Sequence, residues 1–479
     1  MTMKQKIRMA VLFGLLAMSL VLLAMHIFPE LGRQGKPPAV QRTLSQMGRF
    51  EKIAEIPLGK VEIRGFRQMG STPGLVRMSP GGDRIAVGTE NGDVMVFNTE
   101  GSPVWRRKIG MGKISALEYS PDGRLILIGE NSQQGAVICV DAATGGEKWR
   151  RQSVDELGVD LRQKTFPGIM SIAMDDSGNA YAVALRSLRF PNGQTDYFAR
   201  IYKIDTAGKV ELFPRDHNLD VWVSWCDIDS TGKLLVFGTS DYTPGPYRRY
   251  QNNIYQFDAR TGENRWSLHT ETVEPYERTN MRFGPKWSQD GKYMSGVSAD
   301  GRAFFVDAAG KLVWSRVLSA PQRIQGVFVN ATGLHTQHIG PYAIFSTGNT
   351  YNRANWQLPT PVEHPQSNSV FLFDREGNLL KRRKLGGMIE EMKPVGQELA
   401  VAIGRNIRTK DASIHGVALL STPELELVDW LPAAGPCVAV AASPKHVVTM
   451  EAPLQLDNGE VVGDYRILVW KKSACNGGK

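Results

Sequence analysis

Apolar residues fall into short runs along most of this chain, and the polar residues between them recur in a fixed order. Ser79-Pro80-Gly81-Gly82-Asp83 leads into Arg84-Ile85-Ala86-Val87-Gly88, then Asp93-Val94-Met95-Val96-Phe97-Asn98, and the stretch closes at Trp105. The order returns in Ser120-Pro121-Asp122-Gly123, Leu125-Ile126-Leu127-Ile128, Ala136-Val137-Ile138-Cys139-Val140 and Trp149. Later copies turn on Asp176-Ser177-Gly178, Ser230-Thr231-Gly232 and Gln289-Asp290-Gly291, and weaker ones end at Trp430 and Trp470. Runs of this length, rich in β-branched and aromatic residues, predict strands, and no helical period persists through the body. The Asp-Gly and Ser-Gly pairs supply the positive backbone angles of tight turns between the first and second strands.

About eight such units follow one another at roughly 40 to 66 residues, the period of propeller blades. A lone four-stranded sheet leaves both faces wet, whereas blades packed radially cover each other and keep only short edges. The pattern therefore predicts an all-β fold, an eight-bladed β-propeller over residues 61–479. The recurring Trp is expected to pack between blades, and residues 61–66 to complete the last blade.

One apolar run is different. Residues 9–28 carry no formal charge and follow Lys4, Lys6 and Arg8. As a helix they span roughly 30 Å, the thickness of a bilayer core. The basic flank orients the amino end to the cytoplasm and the remainder to the other side. A cleaved signal peptide starts in the same way, but Leu22-Leu23-Ala24-Met25-His26 offers no good small-x-small site. The expected organisation is a signal-anchor transmembrane helix (residues 1–28), a polar stalk (29–60) and the propeller (61–479).

Val140-Asp141-Ala142-Ala143-Thr144-Gly145-Gly146-Glu147-Lys148-Trp149 and Phe257-Asp258-Ala259-Arg260-Thr261-Gly262-Glu263-Asn264-Arg265-Trp266 resemble the tryptophan-docking repeat of quinoprotein-like propellers, which bind pyrroloquinoline quinone (PQQ). The Ser-Pro-Asp-Gly turns resemble those of WD-repeat propellers. The first resemblance implies eight blades, and the second makes seven the alternative. Quinoprotein dehydrogenases carry an adjacent cysteine pair, whereas Cys139, Cys226, Cys437 and Cys475 stand apart, so no catalytic residue carries over. No cofactor is expected, and enzymatic activity is disfavoured. His335, His338 and His364 lack a diagnostic metal spacing, and Glu390-Glu391 and Asp175-Asp176 have no recognisable partner base.

Composition adds two points. The chain has 479 residues with 57 Lys+Arg against 48 Asp+Glu, a net charge of +9, and its 49 Gly suit a fold made of turns. Lys381-Arg382-Arg383-Lys384, with Arg106-Arg107-Lys108 and Lys148, Arg150 and Arg151 in comparable last-strand positions, predicts a basic outer belt attractive to anionic headgroups or acidic proteins. Export of the body excludes nucleic acid as a partner.

The lengths of the connections are more informative. Residues 186–198, 241–253, 349–369, 405–415 and 451–464 separate second from third strands, and the blade links 150–168 and 267–282 are long as well. In a propeller these all emerge on one rim, the expected binding face. Its aromatic and arginine residues, Tyr197, Tyr242, Tyr247, Arg248, Tyr250, Tyr351, Arg353 and Trp356, are of the types enriched at interface hot spots. The function expected is a membrane-anchored extracytoplasmic docking or assembly subunit. The alternative is a redox enzyme or small-cofactor protein using the central channel.

Overall fold

The computed structural model describes residues 48–65, 74–192, 195–214, 218–239, 249–250, 252–276, 281–351, 362–406 and 412–473. The anchor expected at 9–28 lies outside them. Among the described residues no helix is long and apolar enough to cross a membrane.

The chain builds a succession of antiparallel sheets, each a meander of four strands in sequence order. Sheet A covers residues 74–108, B 113–152 and C 168–213, with B and C joined by one pair, Gly168 with Asn131. Sheet D covers 223–268, E 286–317, F 327–384 and G 389–432; F carries a further short strand, Gln322–Ile324. Sheet H holds Cys437–Ala442, His446–Glu451 and Arg466–Lys472, and its fourth strand is Phe50–Pro57. The first strand of each sheet packs beside that of the next, and that of H packs beside that of A, so the succession returns to its start. The fold is therefore all-β and propeller-like.

The closing strand differs from the one expected. Phe50–Pro57, in the segment expected to be stalk, pairs with Arg466–Lys472. Arg64–Gly65, from the segment expected to close the last blade, instead pairs in parallel with Leu454–Gln455. Along Phe50–Pro57 Phe50 is buried, Ala54 and Ile56 are half-buried, and Glu51, Lys52 and Glu55 face water. That half-wet pattern suits an outermost strand but resembles a polar linker in sequence. Further bonds fix it. The Phe50 N–H donates to Asp429 Oδ2 at 2.9 Å, Arg49 pairs with Glu398 at 2.8 Å, and the Ser473 N–H donates to Arg49 O at 2.8 Å.

Second and third strands are buried on both faces, as in Arg84–Thr89 and Asp93–Asn98, because the adjoining sheets cover them. Their sequences are accordingly continuous in apolar residues rather than alternating. The core is a series of layers between sheets, such as Ile126, Ile128, Ile138 and Val140 of B against Val94 and Val96 of A. Fourth strands are wetter: Pro103–Lys108 has only Trp105 half-buried.

The tryptophans of those outer strands join one sheet to the next. Trp105 Nε1 donates to Ala142 O at 2.9 Å, Trp266 Nε1 to Ala308 O at 3.3 Å and Trp314 Nε1 to Arg375 O at 3.1 Å. Each ring lies on a glycine of the following sheet's last turn. A β-carbon on Gly145 would come within 2.8 Å of Trp105, and one on Gly377 within 2.6 Å of Trp314. Both glycines also hold positive φ, 67° and 83°, so the turn and the ring require the same residue.

Candidate functional site

Two regions could carry function: the inner strands and the face with the long connections. An inner strand has one edge without a strand beyond it, and its free amide and carbonyl groups need partners. Side chains of neighbouring first strands supply them. Glu391 Oε2 accepts from the Val440 N–H at 2.9 Å, and Asp227 Oδ2 accepts from the Trp287 N–H at 2.9 Å. Ser115 Oγ donates to Ile169 O at 2.6 Å, and Gln337 Nε2 donates to Met392 O at 2.9 Å.

The charges on these strands neutralise one another. Arg77 lies 3.2 Å from Glu391 and 3.5 Å from Glu118; Lys393 lies 3.3 Å from Glu391; Lys286 lies 2.9 Å from Asp227. Three cations thus meet three carboxylates. Arg77 and Glu391 are each 18% exposed, so water still reaches them. Burial opposes the charge of Glu391, but Lys393 and Arg77 hold its carboxyl below the usual range. Burial likewise opposes the charge of Lys286, and Asp227 more than offsets it. Such an arrangement straps sheets together.

Glu390, on the adjacent residue, behaves differently: burial pushes its carboxyl up to about 7, with Arg405 acting in the opposite direction. The histidines do not form a ligand set. His335 Nε2 meets Ile389 O at 3.2 Å, His338 Nε2 meets Ser295 Oγ at 2.8 Å, and His364 Nε2 meets Ala320 O at 2.8 Å. Burial lowers His335 and His338 to about 4, so both are neutral at physiological pH. Among the described residues no group of three His, Cys, Asp or Glu is placed to hold a metal.

The inner-strand charges were missed in the sequence, although they leave a signal. Arg77, Glu118, Asp227 and Lys286 each stand two positions before the Ser or Asp that opens the first turn of their repeat. A charged residue returning to the same place in an apolar strand marks the face turned to the axis.

The two rims of the ring differ in kind. Turns between first and second strands, and between third and fourth, are short: Met78 to Arg84, Tyr119 to Leu125, Asp141 to Glu147. Second-to-third connections and sheet-to-sheet links share the other rim and include every long connection, such as Tyr351 to Ser369 and Leu268 to Lys286. Exposed apolar side chains follow this division. Ile63, Met111, Val159, Leu161, Phe190, Trp222 and Val461 lie on the loop rim. The remaining large exposed apolar residues, including Leu312, Val313, Leu379 and Leu380, lie on outer strands, and none of those described lies within a short turn.

The expected contact residues separate into three groups. Tyr197 is half-buried on the loop rim, its ring 5.6 Å from Trp222. Tyr250 packs edge-on to Tyr255 at 5.1 Å, and Tyr250 and Tyr351 are buried, so these two rings tie loops to the body. Tyr242, Tyr247, Arg248, Arg353 and Trp356 lie outside the described residues. In the basic run, Lys381, Arg382 and Lys384 are exposed on the outer strand of F, and Lys384 pairs with Glu363 at 2.9 Å. Arg383 instead donates to Leu425 O of sheet G at 3.1 Å. Arg107 and Arg316 do the same to Thr144 O and Gly377 O, at 3.1 and 3.0 Å, so part of the belt consists of straps between sheets.

This geometry has counterparts among known proteins. Residues 76–156 match the family model of the anaphase-promoting complex subunit 4 WD40 domain. Polyvinylalcohol dehydrogenase of Sphingopyxis sp. (strain 113P3) is 24% identical over 336 residues, 58% of this chain and 50% of that protein. The chain thus spans about half the length of this curated relative. Of solved structures, BamB from Moraxella catarrhalis superposes with a TM-score of 0.54 at 13% identity, covering 88% of this chain and 99% of that one. The C-terminal WD40 domain of Sif2 does so with a TM-score of 0.54 at 10% identity, covering 89% and 99%. At such identities the likeness is one of fold: a β-propeller related to the WD40 and PQQ-like repeat families. The balance of resemblance falls on propellers not named as enzymes, against one dehydrogenase matched over half its length.

Proposed function

We propose that this chain is a membrane-anchored, extracytoplasmic propeller of eight blades that serves as a protein-docking or assembly subunit of a membrane-associated complex. The observation that carries the reading is that, among the described residues, the long connections and all the large exposed apolar side chains outside the outer strands share one rim. A rigid ring holds irregular loops in fixed register, which lowers the entropy lost when a partner docks. Residues 9–28 and the preceding Lys4, Lys6 and Arg8 support the anchor. Tyr197 and the loop residues Tyr242, Tyr247, Arg248, Arg353 and Trp356 are the proposed contacts, and exposed Lys381 and Arg382 form an accessory basic surface.

The test is purification of the full chain from detergent-solubilised membranes. We expect a partner at near-stoichiometric yield, lost from a variant in which Met111, Leu161, Trp222 and Val461 are all replaced by Ser and kept by the short-turn variant Asp122→Asn. Recovery of the chain alone, or partner loss from the short-turn variant, would overturn the reading. A chain released by alkaline washing, beginning beyond residue 28, would refute the anchor.

The second reading, a small redox cofactor on the axis, draws on the dehydrogenase likeness and the charges that converge on the inner strands. It predicts an absorbing group retained by the purified chain and released when Arg77 or Lys286 is replaced.

A further inference from the structure

Around the hairpin of sheet C, the loop rim combines apolar exposure with an unequal use of charge. The strands Ala180–Arg189 and Thr195–Ile204 are the long second and third strands of C, and their register extends to the pair Arg189 with Thr195. On one flank lies the link from sheet B. There Val159 is 40% and Leu161 74% exposed, and Gln163 Oε1 accepts from the Arg189 N–H at 3.1 Å, fixing the link against the hairpin. Phe190, 37% exposed, follows Arg189 toward the tip. On the other flank Trp222, also 37% exposed, lies against Tyr197.

The carboxylates and the cations here are spent differently. Asp160 Oδ1 accepts from the amides of Arg162 and Gln163, at 2.9 and 3.0 Å. Asp220, two residues before Trp222, accepts from the amides of Arg249 and Tyr250, at 2.7 and 3.1 Å. Both carboxylates are thereby committed to holding loops in place. Arg162, Lys164 and Arg189 instead present exposed side chains, against two exposed carboxylates among the described residues here, Asp155 at the start of the link and Asp196 on the hairpin. Exposed apolar side chains and exposed cations thus share this part of the rim. Large apolar groups left in water beside such a rim are the anatomy of an interface before its partner arrives.

We propose that residues 159–164 of the link from sheet B, the hairpin residues Arg189, Phe190 and Tyr197, and Trp222 form the primary docking surface, and that its occupant is a protein segment with apolar side chains flanked by carboxylates. This rests on the docking reading above and names its site and the chemistry of its partner. The exposed apolar side chains provide burial, while Arg162, Lys164 and Arg189 favour a segment with carboxylates and speed encounter.

A photo-crosslinking phenylalanine analogue is placed in the full-length chain at 161, 222, 111 or 461, one position at a time, in its native membrane. Crosslinked peptides are then sequenced by mass spectrometry. The expected result is adducts from 161 and 222 to one partner segment bearing Asp or Glu within a few residues of aliphatic or aromatic side chains. Reversal of the rim by Arg162→Glu with Arg189→Glu should lower that yield at least tenfold, with a melting temperature unchanged from the parent. A synthetic peptide of the captured sequence should bind the parent chain with an affinity that falls as salt rises.

Adducts to a segment without carboxylates, adducts to lipid, or a yield insensitive to the reversal would overturn the proposal. Adducts from 111 or 461 alone would overturn it while leaving docking intact, and none from any of the four positions would sink docking too. Binding of the parent, but not the reversed variant, to vesicles containing 30 mol% phosphatidylglycerol would assign the surface to a membrane and overturn the proposal.

Discussion

Replacing Gly377 by Ala tests how the ring is held together. The Trp314 side chain is 5% exposed, lies 5.3 Å from both the Phe305 and Phe373 rings, and sits on Gly377 of the next sheet. The added methyl would fall 2.6 Å from the indole, closer than carbon atoms tolerate, at a residue whose φ is 83°. The conformational part costs about 1–2 kcal/mol, and moving a buried ring out of a packed site costs about 1–3 kcal/mol more. Trp314→Ala alone should cost about 3–5 kcal/mol. In the Trp314→Ala background only the conformational part of Gly377→Ala remains, so the double variant should be more stable than the sum of the singles by about 1–3 kcal/mol. Urea unfolding of the solubilised chain, followed by far-UV circular dichroism, measures all four corners of this cycle. Additive effects would show that the ring and the glycine do not meet, and would remove the docking contact from the account of the fold.

Other expectations follow from the inner strands, the thiols and the closing strand. Glu391→Ala removes the partner of both Arg77 and Lys393 and strands the Val440 amide, so it should destabilise by about 2–5 kcal/mol; Glu391→Gln, which keeps an acceptor for the amide, should cost less in the same unfolding assay. His335 and His338 fall from the ordinary 6.5 to about 4 in the fold, so the unfolded chain binds protons that the fold refuses and stability drops as pH falls from about 6.5 toward 4. Glu390, raised from 4.5 to about 7, opposes this by favouring the fold on acidification, so Glu390→Gln should steepen the loss between pH 7 and 4.5 in midpoints measured at several pH values. Burial pushes the thiols of Cys139 up to about 11 and of Cys226 and Cys437 up to about 12, so iodoacetamide at pH 8 should spare all three in the native chain and modify them in urea. Deleting residues 48–57 should leave a chain that aggregates, and the free peptide of that sequence should restore solubility by pairing with Arg466–Lys472.

The repeated strands were legible because local and tertiary demands coincide: Asp122-Gly123 makes the turn that the sheet needs, and the meeting of Trp105 with Gly145 recurs for Trp149 with Gly208, Trp266 with Gly310 and Trp314 with Gly377. The closing strand was not, because half of Phe50–Pro57 faces water and its partner lies at the opposite end of the sequence. The loop rim was legible as lengths of chain, but its chemistry was not. Aromatic content singled out Tyr250 and Tyr351, which the fold buries, and passed over Leu161 and Met111, which it exposes at 74% and 64%. Composition marks residues suited to contact, whereas exposure depends on neighbours that are distant in sequence. The glutamates at 390 and 391 illustrate the same limit, since adjacent positions acquire opposite shifts, Glu390 upward from enclosure and Glu391 downward from Lys393 on its own strand and Arg77 on another.

The pairing of Phe50–Pro57 with Arg466–Lys472 sets a timetable for the chain. Of the described strands Phe50–Pro57 is made first, and it waits for Arg466–Lys472, the last of them to be made. Until then the unfinished array keeps one uncovered sheet at each end, and a chain truncated before residue 466 never leaves that state. Nascent molecules should therefore depend on chaperones until residues 466–472 have been added, and an interruption just before residue 466 should be almost as damaging as one in the middle. The joint doubles as a proofreading step: only a polypeptide that reaches Lys472 can pair with Phe50–Pro57.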